Sequence, residues 1–94
     1  KLTDTDIQQI AGLMLQEVAN RIAAQGIQIS FDDAVTAMLA KEGFDPVYGA
    51  RPLRRAIVRK VEDGFSEEML SGRIREGDRV RAVLRDDTIV YEKD

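Results

Sequence analysis

The pattern of apolar and polar positions predicts a helix near the beginning of the chain. From Ile7 to Ile22, apolar residues recur at steps of three and four, which is the spacing of one face of an α-helix. Thr3 or Thr5 can cap the start of this helix, and Gly26 can adopt the left-handed backbone that ends it. The residues expected to face the core are Ile7, Ile10, Ala11, Met14, Val18 and Ile22.

Three segments have the alternating pattern of β-strands. Residues 27–31 alternate apolar and polar side chains, which predicts a short strand. Residues 79–85 and 88–93 alternate in the same way, and the two acids at 86–87 between them predict a tight turn. The end of the chain is therefore expected to form a β-hairpin.

Helical spacing returns twice between the first strand and the hairpin. It predicts a second helix over 32–43, capped by Asp32 or Ser30, and a third over 52–71 that begins at Pro52. In the second helix the expected core residues are Val35, Met38 and Leu39. In the third helix they are Leu53, Ala56, Ile57, Val61, Phe65 and Leu70.

The order of these elements predicts the fold class. Helix, strand, helix, helix, strand and strand follow one another, which is typical of an α+β fold with three helices packed on a small, about three-stranded sheet. The chain has 94 residues, enough for a single domain that we expect to span residues 1–94. An irregular turn is expected at Gly64, because glycine destabilises a helix interior by about 1 kcal/mol relative to alanine.

Composition excludes several classes of function. The chain has no cysteine and no histidine, which excludes disulfides, thiol nucleophiles, imidazole acid–base catalysis and zinc sites of the usual kind. No apolar run approaches the roughly 18 residues of a transmembrane helix, so no membrane partner is expected. The lack of cysteine fits a reducing compartment, and we expect a cytoplasmic location. Because the first residue is not methionine, we also expect a fragment of a longer chain.

Charge is unevenly distributed along the chain. The formal net charge is −3, yet residues 48–75 contain seven basic and four acidic residues. A general nucleic-acid binder usually has a larger basic excess and aromatic residues for stacking, so no nucleic-acid partner is expected. A run of arginines is also typical of a solvated helix face, where Arg59 could pair weakly with Glu62 or Asp63.

Arg51 differs from the other arginines because it immediately precedes a predicted helix start, in "YGARP". The first turn of a helix already carries positive partial charge, so arginine is unfavourable there unless an anion binds. Free N–H groups and a guanidinium together make an anion site, for which phosphate is the obvious occupant. No Walker loop and no convincing acidic cluster for Mg²⁺ accompany it, so no metal site is expected. The segment would supply half of a nucleotide site.

The stretches "GFDPVYGARPLRRAI" and "EDGFSEEMLSGRIREGDRV" resemble a known family. They are similar to the C-terminal small (lid) subdomain of the second ATPase module in Clp-type AAA+ unfoldases, over essentially the whole chain. The stretch "SEEMLSGRIREGD" looks most like the ClpC type, and the ClpB-type disaggregase is the alternative. Two positions depart from the family. Phe44 lies where the family often has tyrosine, and Gly64 lies where the family usually has a larger residue or proline.

The resemblance implies roles for three residues. Arg51 would be the sensor-2 arginine, which reaches the γ-phosphate of ATP held on the large subdomain, and Gly49 and Ala50 would line the nucleotide. The missing large subdomain would bind Mg²⁺. The parent chain would be an ATPase that drives protein unfolding, whereas the fragment alone would not hydrolyse ATP or bind a cofactor tightly.

The resemblance also implies partners. These would be the chain's own AAA+ large subdomain, neighbouring protomers of a hexamer, a ClpP-type protease contacted through other regions, adaptors and unfolded protein substrates. The hairpin and the basic helix are candidate contact surfaces. Two alternatives remain open from the residues themselves: a protein-interaction module whose arginines pair with acids, and a small nucleic-acid-binding module.

Overall fold

The α+β architecture is confirmed, with helices packed on a mixed three-stranded sheet. The computed structural model describes residues 2–94. The elements in chain order are α1 (Asp4–Ala23), β1 (Gln28–Phe31), α2 (Asp33–Gly43), α3 (Arg51–Ile57), a π-helical segment (Val58–Glu62), α4 (Asp63–Leu70), β2 (Arg79–Arg85) and β3 (Thr88–Lys93). The π-helical segment is called the π turn below. It joins α3 and α4 into one continuous third helix, because the residues at both junctions are right-handed helical.

The first helix begins and ends as its sequence indicates. The Asp6 N–H donates to the Thr3 hydroxyl at 3.1 Å, and the Thr3 N–H donates to the Asp6 carboxylate at 3.0 Å, which forms a capping box. Gly26 follows the helix with a φ of +84°, the left-handed conformation predicted for it. The inward stripe is largely confirmed, although Leu15 joins it while Ile10 and Met14 are only partly buried.

The sheet has the strand order β1–β2–β3, with β1 parallel to β2 and β2 antiparallel to β3. One face packs against the helices through alternate residues. These residues are Ile29, Phe31, Val80, Ala82, Leu84, Ile89 and Tyr91. The predicted tight turn is also confirmed, because Asp86 and Asp87 both have positive φ angles, of 51° and 62°.

The start of α2 differs in detail from the prediction. Asp32 occupies the N-cap position, but its side chain makes no capping hydrogen bond. Its carboxylate instead accepts a hydrogen bond from the Arg81 guanidinium at 2.7 Å. Asp32 therefore connects the beginning of α2 to the central strand.

The third helix needs its π turn to keep one face in the core. Leu53, Ile57, Val61 and Phe65 are all buried and lie four residues apart. In an ideal α-helix each four-residue step drifts by about 40°, so the last of them would lie about 120° from the first. The wider π turn reverses part of that drift. An irregular turn is therefore present in the third helix, but the prediction that it lies at Gly64 is wrong, because the π turn ends at Glu62 and Gly64 lies in the regular helix α4.

The prediction that Leu70 is buried is wrong, because its side chain is 87% exposed. Phe65 is the last residue of α4 that is fully in the core. In an α-helix the residue five positions further on points about 140° away from it. Met69, four positions after Phe65, is the residue that packs against the core instead.

Tyr91 is a core residue of β3, and its hydroxyl is also hydrogen-bonded. The hydroxyl donates to the Val61 carbonyl oxygen at 2.7 Å, and the ring meets Phe65 edge-on with centroids 5.9 Å apart. Burial, with a smaller contribution from the charge of Glu68, raises the pKa of Tyr91 well above its ordinary value. The neutral phenol is therefore the form that the fold stabilises.

We expect this raised pKa to make the chain sensitive to alkali. The unfolded phenol loses its proton above pH about 10, whereas the folded phenol keeps it. Its contribution to stability is therefore fully present below pH 10 and is lost as pH rises towards the folded-state pKa, by up to about 1.4 kcal/mol per pH unit. Urea unfolding at pH 8–11.5 should show a steeper alkaline loss for the wild type than for Tyr91→Phe. Parallel curves would contradict this expectation.

Candidate functional site

The loop before the third helix is closed by its own backbone. The Asp45 N–H donates to the Gly49 carbonyl at 3.0 Å, and the Gly49 N–H donates back to the Asp45 carbonyl at 2.7 Å. The Asp45 carboxylate also accepts from the N–H groups of Val47 and Tyr48, at 2.7 and 3.0 Å. Gly49 has a φ of +65°, which other residues adopt only at a cost. These hydrogen bonds fix the backbone conformation of the loop that leads into Arg51.

Arg51 is the first residue of α3 and is exposed to solvent. Within residues 2–94 its guanidinium makes no ion pair and no hydrogen bond. Ala50 occupies the N-cap and supplies no side-chain cap, and no acid lies in the first turn. The free N–H groups expected in this turn are not found, because the Arg51 N–H donates to the Tyr48 carbonyl at 3.3 Å, the Leu53 N–H donates to the Ala50 carbonyl at 3.0 Å, and Pro52 has no N–H. The exposed Arg51 guanidinium is therefore the group of this helix start that can receive an anion.

Gly43, the last residue of α2, sets the distance between α2 and the start of α3. A Cβ atom at Gly43 would lie 2.6 Å from the Leu53 Cα and 2.8 Å from its Cδ1. Only glycine allows this approach without a shift of the neighbouring backbone. Leu53 is fully buried two residues after Arg51, so this contact fixes the position of the arginine. The sequence marked Gly43 only as the end of a helix.

The other cations of the basic stretch make few contacts. Arg54 lies 4.0 Å from Glu17, and Lys60 pairs with Glu42 on α2 at 3.0 Å. The expected pairing of Arg59 with Glu62 or Asp63 is wrong, since Glu62 pairs with Arg21 of α1. Pairs of this kind, with both side chains largely exposed, contribute little to stability.

The tip of the loop exposes two large side chains next to Arg51. Val47 is 80% exposed and Tyr48 is 63% exposed. A rigid loop that presents an aliphatic and an aromatic side chain to solvent is typical of a contact surface. Their place in an ordered loop could not be read from residue types alone.

The cleft between α1 and α2 does not include the predicted nucleotide residues. This cleft has a volume of about 530 Å³ and is lined by Asp4, Ile7, Gln8, Ala37, Ala40, Lys41 and Phe44. Gly49 and Ala50 are half-buried and Arg51 is exposed, and none of the three lines it. The three residues are adjacent and can act together.

Fold and site together describe a small α+β subdomain whose third helix starts with an exposed arginine. The family model described as "C-terminal, D2-small domain, of ClpB protein" matches residues 2–82. The chain belongs to this family. The prediction of a Clp-type AAA+ C-terminal small subdomain is confirmed.

Several similar proteins carry Clp names. The chain is 51% identical over 79 residues to "Chaperone protein ClpC4, chloroplastic" of Oryza sativa subsp. japonica, which covers 84% of this chain and 9% of that protein. It is 47% identical over 78 residues to "ATP-dependent Clp protease ATP-binding subunit ClpA homolog" of Cyanidium caldarium, covering 83% and 9%. To "Chaperone protein ClpC2, chloroplastic" of Arabidopsis thaliana it is 46% identical over 80 residues, covering 85% and 8%. The chain thus spans about a tenth of the length of these relatives.

None of the helices within residues 2–94 combines the length and the apolar character that crossing a bilayer requires.

Proposed function

We propose that this chain is the lid subdomain of an ATP-driven Clp unfoldase and that Arg51 is its sensor-2 residue. The observation that carries the proposal is the environment of Arg51. Its side chain is exposed, has no acidic partner in residues 2–94, and is held at a helix start that has no side-chain cap. An arginine held in this way is unfavourable for the isolated chain. A phosphate on a facing domain would compensate that unfavourable charge.

The proposed mechanism follows from charge and position. The Arg51 guanidinium donates hydrogen bonds to oxygens of the ATP γ-phosphate, while the backbone at Gly49 and Ala50 lies against the nucleotide. As the γ-phosphate is transferred to water, charge builds on its oxygens, and a fixed cation stabilises that transition state. After hydrolysis the contact is lost, and the lid can rotate relative to the large subdomain. Mg²⁺ would be held by the large subdomain.

Assembly and partners complete the proposal. We place the chain in a hexamer, where it contacts its own large subdomain and a neighbouring protomer and transmits lid motion to an unfolded protein substrate. The ClpC and ClpA names of the relatives favour a protease-linked ClpC type, in which ClpP and adaptors bind through other regions. A ClpB-type disaggregase is the alternative. The proposed compartment is the cytoplasm.

A second function is favoured by the loop tip. The exposed Val47 and Tyr48 would suit a protein-interaction module without a nucleotide role. In that case Arg51 would bind an acidic side chain of the partner, and its loss would weaken assembly rather than nucleotide binding.

Nucleotide discrimination by the full-length protein tests the proposal. We expect Arg51→Ala to weaken binding of ATPγS about tenfold and to leave ADP affinity unchanged, because the guanidinium contacts only the γ-phosphate. Both affinities can be measured by competition with a fluorescent nucleotide. Arg55→Ala is the matched control, since Arg55 is equally exposed and lies on the same helix. Equal weakening of both nucleotides, or no effect on either, would count against the sensor role.

A further inference from the structure

The π turn is connected to two neighbouring helices by ion pairs. Lys60 reaches Glu42 of α2 at 3.0 Å, and Glu62 pairs with Arg21 of α1. Each of these pairs is partly exposed, with side-chain exposures between 30% and 58%. Exposed pairs are screened by water and hold a backbone segment only weakly. They orient the outer side of the π turn but do not explain why the helix keeps this unusual geometry.

The buried side of the π turn is held by Tyr91. Its hydroxyl donates to the Val61 carbonyl at 2.7 Å, within the core. Tyr91 is itself fixed from two sides: Phe65 packs against its ring, and the Arg73 guanidinium donates to its backbone carbonyl while pairing with Glu68 at 2.6 Å. A buried polar group that loses its partner is costly. This buried hydrogen bond therefore restrains the π turn more strongly than the two exposed ion pairs do.

The geometry of the π turn decides how α3 is rotated relative to α4. The Asp63 N–H donates to the Val58 carbonyl, five residues earlier. In an α-helix the acceptor would be Arg59, four residues earlier. Conversion of this turn to α geometry would rotate α3 relative to α4 by about one residue, or roughly 100°. Arg51 is the first residue of α3, so any such rotation would change the direction of its side chain.

We propose that Tyr91 is a positioning residue for Arg51: its hydroxyl holds the π turn and thereby fixes the orientation of the helix that carries the arginine. The β-hairpin is in this way coupled to the start of α3. The part of the proposal that concerns ATP rests on the proposed sensor role of Arg51. The structural part does not.

Tyr91→Phe in the 94-residue chain tests the structural part, because it removes the hydroxyl and keeps the ring. Amide exchange measured by NMR at a temperature well below unfolding should accelerate about tenfold in the π turn, because one buried hydrogen bond is lost. We expect shifted amide signals to extend through α3 to Arg51, while α1 remains protected. Tyr48→Phe is the matched control, since the Tyr48 hydroxyl makes no hydrogen bond within residues 2–94. Unchanged exchange and unchanged Arg51 signals would overturn the proposal.

A double-mutant cycle in the full-length protein tests the link to ATP. Tyr91→Phe should lower kcat about three- to tenfold with little change in KM, and it should have no further effect in an Arg51→Ala background. A purely structural loss would lower kcat by the same factor in both backgrounds, and that result would overturn the positioning role. If Arg51→Ala alone leaves kcat unchanged, the sensor proposal fails, and the exchange experiment still decides whether Tyr91 orients α3.

Discussion

Replacing Arg51 by alanine in the full-length protein should lower ATP turnover about 100-fold or more, because the proposed guanidinium contact is strongest in the transition state. The same change should leave the stability of the 94-residue chain within about 0.5 kcal/mol of the wild type. Arg51 is exposed, makes no ion pair within residues 2–94, and lies at the end of the helix where positive charge is unfavourable. Steady-state ATP hydrolysis and thermal unfolding measure the two effects separately.

Two further variants test whether the expected loss of turnover is specific to the Arg51 guanidinium. Arg55→Ala removes the same charge from the same helix and should change turnover less than about twofold, because surface substitutions away from a site have small effects. Arg51→Lys keeps the charge but loses the planar, bidentate donor set, so we expect it to restore only part of the activity. Turnover that survives Arg51→Ala, together with a lowered melting temperature, would instead make Arg51 a structural residue.

The fold could be predicted because its signals are local. The three- and four-residue spacing of α1, its threonine cap and Gly26 each act within a few residues, and the structure agrees with each of them. The same holds for the acidic pair at 86–87, which forms the hairpin turn. The start of the third helix was also recognisable, since Pro52 in its first turn comes directly after Arg51 and three residues after Gly49.

The remaining features depend on contacts between distant parts of the chain. The carboxylate of Asp32 looked like a helix cap, but Arg81, 49 residues later, competes for it successfully. Leu70 was expected in the core although it lies five residues after Phe65, which in an α-helix turns it about 140° away from that buried side chain. The four-residue spacing from Leu53 to Phe65 was a signal in the sequence for the π turn. A repeated step of four favours a helix wound more loosely than 3.6 residues per turn.

Gly43→Ala should be the most destabilising single-methyl change near the site. The added Cβ would lie 2.6 Å from the Leu53 Cα, and the buried backbone there cannot move aside without shifting α3. We expect a loss of about 2 kcal/mol, the range of overpacked cores, after the small gain in helix propensity is subtracted. For a chain of this size that corresponds to a fall of roughly 10 °C in Tm. Thermal unfolding followed by circular dichroism measures it.

Gly12→Ala is the matched control, because it makes the same substitution in the middle of α1. No atom lies within 4 Å of a Cβ at Gly12, so only the helix propensity changes and the chain should gain about 0.5–1 kcal/mol. The two variants are therefore expected to shift Tm in opposite directions. If both raise it, α2 and α3 can separate at Gly43 without cost, and the close contact would not be what positions Arg51. If Gly43→Ala lowers both Tm and the ATP turnover of the full-length protein, the approach of these two helices supports the fold and the proposed sensor site together.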